Sequence, residues 1–91
     1  MSRHVDIALT YPVTIDGVEV SALRMRRATA RDEIAYQKRS GSPGERAAHL
    51  FASLCEIPPN SVLDMDVADF AKLEDAYTGF RPSPSRTSDE P

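Results

Sequence analysis

The densest chemistry in this chain lies in "MRRATARD", Met25 to Asp32, which together with Arg24 holds four of the eleven Lys and Arg residues. Such a cluster can neutralise phosphates or meet an acidic protein surface. A DNA reader sets its bases along one recognition helix with base-reading polar side chains, or on a β-ribbon beside aromatics that stack on bases. No aromatic adjoins these arginines, and the whole chain carries a net charge of −3. Both facts count against nucleic acid as the partner. A small DNA-binding regulator built on the arginine-rich segment is therefore the alternative reading.

The other reactive residue types are sparse. His4 and His49 are far apart and lack neighbours at ligand spacing; a metal site needs three or four convergent ligands. Cys55 is the single cysteine, which excludes an internal disulfide and a thiolate zinc cage. It falls on an apolar helical stripe, where a thiol packs rather than attacks. Asp64, Asp66, Asp69, Glu74 and Asp75 form an acidic run without the central Gly and closing Glu of a calcium loop. Asp66 and Asp69 stand where helix caps belong. Gly-rich phosphate loops and GxSxG are absent from the sequence. The chain is therefore expected to be no enzyme, with no catalytic, cofactor or metal site.

The elements that position the arginines are legible in the pattern. In "VDIALTYPVTI" the apolar residues Val5, Ile7, Leu9, Tyr11, Val13 and Ile15 alternate, as a half-buried strand requires. Asp16-Gly17 reads as a two-residue hairpin turn. The return strand "VEVSALRMR" carries Val18 and Val20 on one parity but Leu23 and Met25 on the other. A bulge near Ser21-Ala22, opposite Pro12, is expected to shift the phase by one. Arg24 and Arg26 then lie on the face opposite Leu23 and Met25.

The second half reads as helix. Thr29 with Asp32 caps a helix over 30–39. Ser42-Pro-Gly-Glu45 opens a helix over 43–56, with Ala47, Leu50, Phe51, Leu54 and Cys55 on one stripe. "IPPN" stops it, "SVLDM" is expected to make a short turn of helix, and Asp66 caps a last helix over 67–78. Val67, Phe70, Leu73 and Tyr77 are expected to face inward there, with Gly79 as the residue after the helix. The fold class is α+β: a β-hairpin followed by three or so short helices. Residues 1–80 read as one domain, and "RPSPSRTSDEP" (81–91) as a disordered tail.

Charge is unevenly spread. Residues 24–46 carry seven bases against three acids, and residues 47–91 three bases against eight acids. Such a chain can dock head to tail on copies of itself, and a domain this small gains from a partner. No apolar run approaches the ~20 residues that span a bilayer, and "MSRHVDIALTYP" lacks a signal-peptide block. The sequence thus reads as cytoplasmic.

The ordered pieces "PVTIDG" (12–17), "LRMRRATARD" (23–32), "IPPNSVLDM" (57–65) and "ADFAKLEDAYTGF" (68–80) resemble the tail assembly chaperones of contractile-tailed phages and prophages, the Mu-like type. The match covers roughly residues 5–80. Ala28 stands where that family commonly has Pro, and Arg27 and Arg31 are this chain's additions. The resemblance implies a protein of the bacterial host cytoplasm that binds the tape measure protein, a long helical client, and keeps it soluble while the tail tube polymerises. A minor structural tail protein is a further alternative. Helix-in-groove binding needs apolar anchors, for which the candidates are Leu23, Met25, Leu50, Leu54, Phe70, Leu73 and Phe80, with Arg26 as the base shared with the family pattern. Most of these must also build the core.

Overall fold

The computed structural model describes residues 4–80; the tail expected over 81–91 lies outside them. Two strands, β1 (His4–Ile15) and β2 (Val18–Arg26), precede four helices: α1 (Ala30–Lys38), α2 (Pro43–Cys55), α3 (Pro59–Leu63) and α4 (Val67–Gly79). The strands form an antiparallel hairpin. Asp16 and Gly17 both take positive φ, 52° and 79°, which matches the right-handed twist of the flanking strands.

One face of the hairpin meets the helices. α2 lies on β2, α4 lies on β1, and α3 reaches both α2 and β1. Ile7, Leu9, Val13, Leu23 and Met25 from the strands are buried together with Ala48, Leu50, Phe51, Ala52, Leu54 and Cys55 from α2. Val62, Met65 and Leu73 complete this cluster. α1 buries none of its residues; it is held by Tyr36, whose ring lies under the Arg46 guanidinium at 4.9 Å, and by the hydrogen bond from the Tyr77 hydroxyl to Glu33. Among the described residues no helix is long and apolar enough to cross a membrane.

The hairpin is irregular where expected, but on the other strand. Regular pairing runs from His4↔Arg26 to Ala8↔Ala22 and resumes at Val13↔Val20. Leu9 to Pro12, four residues of β1, therefore stand against Ser21 alone. The surplus is three residues in β1, not one near Ser21-Ala22. Any odd surplus has the same effect on parity: Ile7↔Leu23 and Val13↔Val20 share a face although Leu23 and Val20 differ in parity.

Three further expectations are corrected. Val67 is 78% exposed rather than inward-facing; at about 100° per residue, six residues turn it roughly 120° away from Leu73. Gly79 is the last residue of α4, not the residue after it. Phe80 closes the helix in right-handed geometry, with its N–H donating to Tyr77 O at 3.0 Å, so no left-handed glycine is needed. α3 begins at Pro59, two residues before the expected turn, because Pro at the first helical position sacrifices only an N–H that has no helical acceptor.

Candidate partner-binding site

The arginine cluster is largely used up within the fold. Arg26 ends β2 and donates a fork of two bonds to Asp32, Nη1 to Oδ2 at 2.8 Å and Nη2 to Oδ1 at 3.0 Å. Asp32 also accepts from the Thr29 N–H at 2.8 Å, while Thr29 Oγ1 accepts from the Asp32 N–H. The capping box of α1 and the end of β2 thus share one carboxylate. The Arg26 guanidinium and the Thr29 donors hold Asp32 well below the usual carboxylate range. Arg27 lies over the Phe80 ring, 5.2 Å from its centroid, and donates to Phe80 O at 2.9 Å. Arg24 pairs with Asp6 at 3.2 Å on the surface. Arg31 is exposed on the first turn of α1.

A second polar clamp holds the four-residue excursion of β1. Asp69 has no solvent exposure. It accepts from Thr10 N–H at 2.8 Å and Tyr11 N–H at 2.9 Å. Lys72, one turn on, pairs with Asp69 at 3.3 Å and donates to Ala8 O and Thr10 Oγ1. Groups that leave the ladder at the bulge thereby regain partners. Burial alone raises the Asp69 pKa, but the two amides and Lys72 outweigh it and hold the carboxyl below its ordinary value. Sequence reasoning made Asp69 a cap or a solvated residue; Asp66 is the cap, accepting from Ala68 N–H at 2.9 Å. One signal was available: Asp69, Leu73 and Ala76 are spaced i, i+4, i+7, which places an acid on the apolar stripe of α4.

The eight candidate contact residues do not form one surface. Leu23, Met25, Leu50, Leu54 and Leu73 are buried, whereas Arg26, Phe70 and Phe80 are half-buried. Leu23, Arg26 and Leu54 line one cleft of about 380 Å³ beside β2, with Ile15, Val20, Cys55 and Ile57 among its other walls. Phe70 lines another, of about 310 Å³, with Gly44, Ala48, Val62, Leu63, Met65 and Val67. Leu63 and Val67, which sequence reasoning did not single out as contacts, are 52% and 78% exposed at its rim. The Cys55 thiol is pushed up to about 11 by burial, so it stays protonated and unreactive at neutral pH.

A family model described as "Phage tail assembly chaperone proteins, E, or 41 or 14" matches residues 6–81. The matched span takes in both polar clamps and the apolar cleft at Phe70. No curated protein and no solved structure matches the chain.

Proposed function

The chain belongs to the phage tail assembly chaperone family, and we propose that its client is the tape measure protein, kept soluble in the bacterial host cytoplasm until the tail tube has formed around it. The observation that supports this reading is the family match over residues 6–81, which points to a role in tail assembly. The structure is compatible with binding a long amphipathic helix. It offers an apolar cleft walled by helices at Phe70, and such a cleft accepts side chains spaced i, i+3, i+4 on a partner. Several copies along one client add avidity that a single weak site lacks. Of the eight candidate residues, Phe70, Phe80 and Arg26 keep enough exposure to touch a client, while Leu23 and Leu54 line the cleft beside β2 and Met25, Leu50 and Leu73 are buried in the core.

The arginines do not favour the DNA-binding alternative. Arg26 is neutralised by Asp32, Arg24 faces Asp6, and Arg27 is turned onto Phe80. A phosphate backbone requires free cations on one surface.

The test is co-expression with the tape measure protein encoded by the same phage or prophage. The client is expected in the soluble fraction with this chain and in the pellet without it. Equal solubility in both cases overturns the client assignment. Mass spectrometry of purified particles separates the chaperone from a structural tail protein: the chain is expected to be missing from them.

A further inference from the structure

The cleft between α2, α3 and the start of α4 stands out for what lines and surrounds it. Its walls are Ala48, Val62, Leu63, Met65, Val67 and Phe70, all apolar. Single exposed apolar residues are ordinary on protein surfaces. Here, two of the five large apolar side chains most exposed among the described residues, Leu63 and Val67, rim the same cleft. Clustering of that kind marks contact surfaces.

The charged residues next in sequence to the residues that line the cleft are all acids. Leu63, Met65 and Val67 alternate along the chain with Asp64 and Asp66, both exposed; Asp66 keeps its charge while capping α4, and Glu45, next to Gly44 on the opposite wall, is turned back onto the Ser42 N–H. Arg46, the base nearest in sequence on that wall, is turned away onto the Tyr36 ring. An apolar floor edged by carboxylates selects an apolar ligand edged by cations. The walls also fix the ligand's backbone shape. They come from α2, α3, α4 and the short link between the last two, and no strand edge borders the cleft. An extended peptide would therefore find no ladder to join, whereas a helix needs only side-chain pockets. A volume of about 310 Å³ is at the small end for ligand pockets and suits a few aliphatic side chains.

We propose that this cleft is the docking site for a helical segment of the client whose apolar stripe is flanked by Lys or Arg. The inference rests on the chaperone reading above and adds the surface and the chemistry of the segment it takes. Leu63 and Val67 close over the apolar anchors of the client helix, and Asp64 and Asp66 face its basic flank.

Overlapping peptides spanning the tape measure protein test this, with binding followed by fluorescence anisotropy for the full chain and two variants. The wild type is expected to hold peptides with a helical apolar stripe and basic flanks. The double variant Leu63→Ser/Val67→Ser is expected to bind them about tenfold more weakly, the loss typical of removing a contact anchor. Both residues are exposed, so its thermal unfolding should match wild type. Asp64→Lys is expected to weaken the same peptides at low salt and to lose that effect at high salt. Equal binding by wild type and the double variant overturns the cleft while leaving the chaperone role standing. A change in the double variant's own sedimentation, without a change in peptide binding, overturns it in favour of an interface between copies. A preference for acidic flanks overturns the charge assignment. If the wild type binds no peptide and leaves the client insoluble, the chaperone reading falls and the cleft assignment with it.

Discussion

Asp32 and Asp69 each tie the β-hairpin to the first turn of a helix with a single ionised carboxylate, but they do so by different routes. Asp32 lies six residues from Arg26 and three from Thr29, so the whole arrangement is local. Asp69 reaches backbone amides 58 and 59 residues away and is entirely covered by the fold. The first clamp joins side chains that water could otherwise solvate. The second replaces ladder bonds that β1 gives up over Leu9 to Pro12. The buried carboxylate gives the Thr10 and Tyr11 N–H groups the partner that the broken ladder no longer supplies. The difference teaches that the hairpin's irregularity and the acid on α4 are one feature.

Replacing Asp69 should therefore be the most damaging polar substitution in the molecule. Asp69→Asn is the sharpest form, since it keeps size and shape. An amide offers one acceptor oxygen, and its NH₂ would face a second donor. Lys72 also loses its counter-charge. The expected result is a fall in the unfolding midpoint of roughly 10 °C or more, with amide exchange at Thr10 and Tyr11 accelerated first. A variant as stable as wild type would show that the excursion holds itself, and the comparison with Asp32 would collapse.

The same contrast explains what could be read in advance. The Asp16-Gly17 turn and the boxes Thr29/Asp32 and Ser42/Glu45 depend on neighbours within a few residues, and all are seen in the structure; alternation in β1 holds at Ile7, Leu9 and Val13 but fails at Tyr11, which is 57% exposed within the excursion. The conflict between Val20 and Leu23 revealed that the hairpin must break phase near Ser21. It could not reveal which strand carries the surplus, because an odd insertion in either restores the parity. Asp69 was hidden for a different reason. Its partners are main-chain groups, which have no residue type to recognise, and Asp66 nearby already supplied a cap. The candidate site was legible only as a list of apolar residues. Five of the eight are buried, while Leu63 and Val67 at the exposed cleft rim were missed as contacts, because sequence shows apolarity but not which apolar side the core leaves uncovered.

A smaller loss is expected at the local clamp. Asp32→Ala removes the acceptor of the Thr29 N–H and the Arg26 partner together, and should cost about 1–2 kcal/mol in chemical denaturation. Arg26→Lys should cost less, because one ammonium replaces the two-bond fork but keeps the charge. Acid sharpens the comparison further. Both carboxyls are held below their ordinary values in the folded chain. Between the folded and unfolded pKa the unfolded chain binds more protons, so stability rises with pH there. Their contribution is complete above the unfolded carboxyl pKa of about 3.9 and is lost as pH falls through the folded values. Wild type should therefore weaken below about pH 4. Asp32→Ala and Asp69→Asn should each weaken less steeply over that range. An unchanged acid limb in either variant would mean that its carboxylate is not the group being protonated.

The smallest effect is expected where the residue after β2, Arg27, meets the residue after α4, Phe80, without any carboxylate. Arg27 stacks on Phe80 and donates to its carbonyl, but the arginine is exposed, and such a contact contributes about 0.5 kcal/mol. Arg27→Ala should leave the unfolding midpoint nearly unchanged and speed amide exchange only in the last turn of α4. Arg31, which lacks that intramolecular use, serves as the contrast. If the chain docks head to tail through its positive middle and acidic second half, Arg31→Glu should reduce self-association in sedimentation at low salt, while Arg27→Ala should do so less. Equal sedimentation of wild type and Arg31→Glu would remove the head-to-tail idea, leaving Arg27 with a purely internal role in fastening the end of α4 to the strand it follows back to.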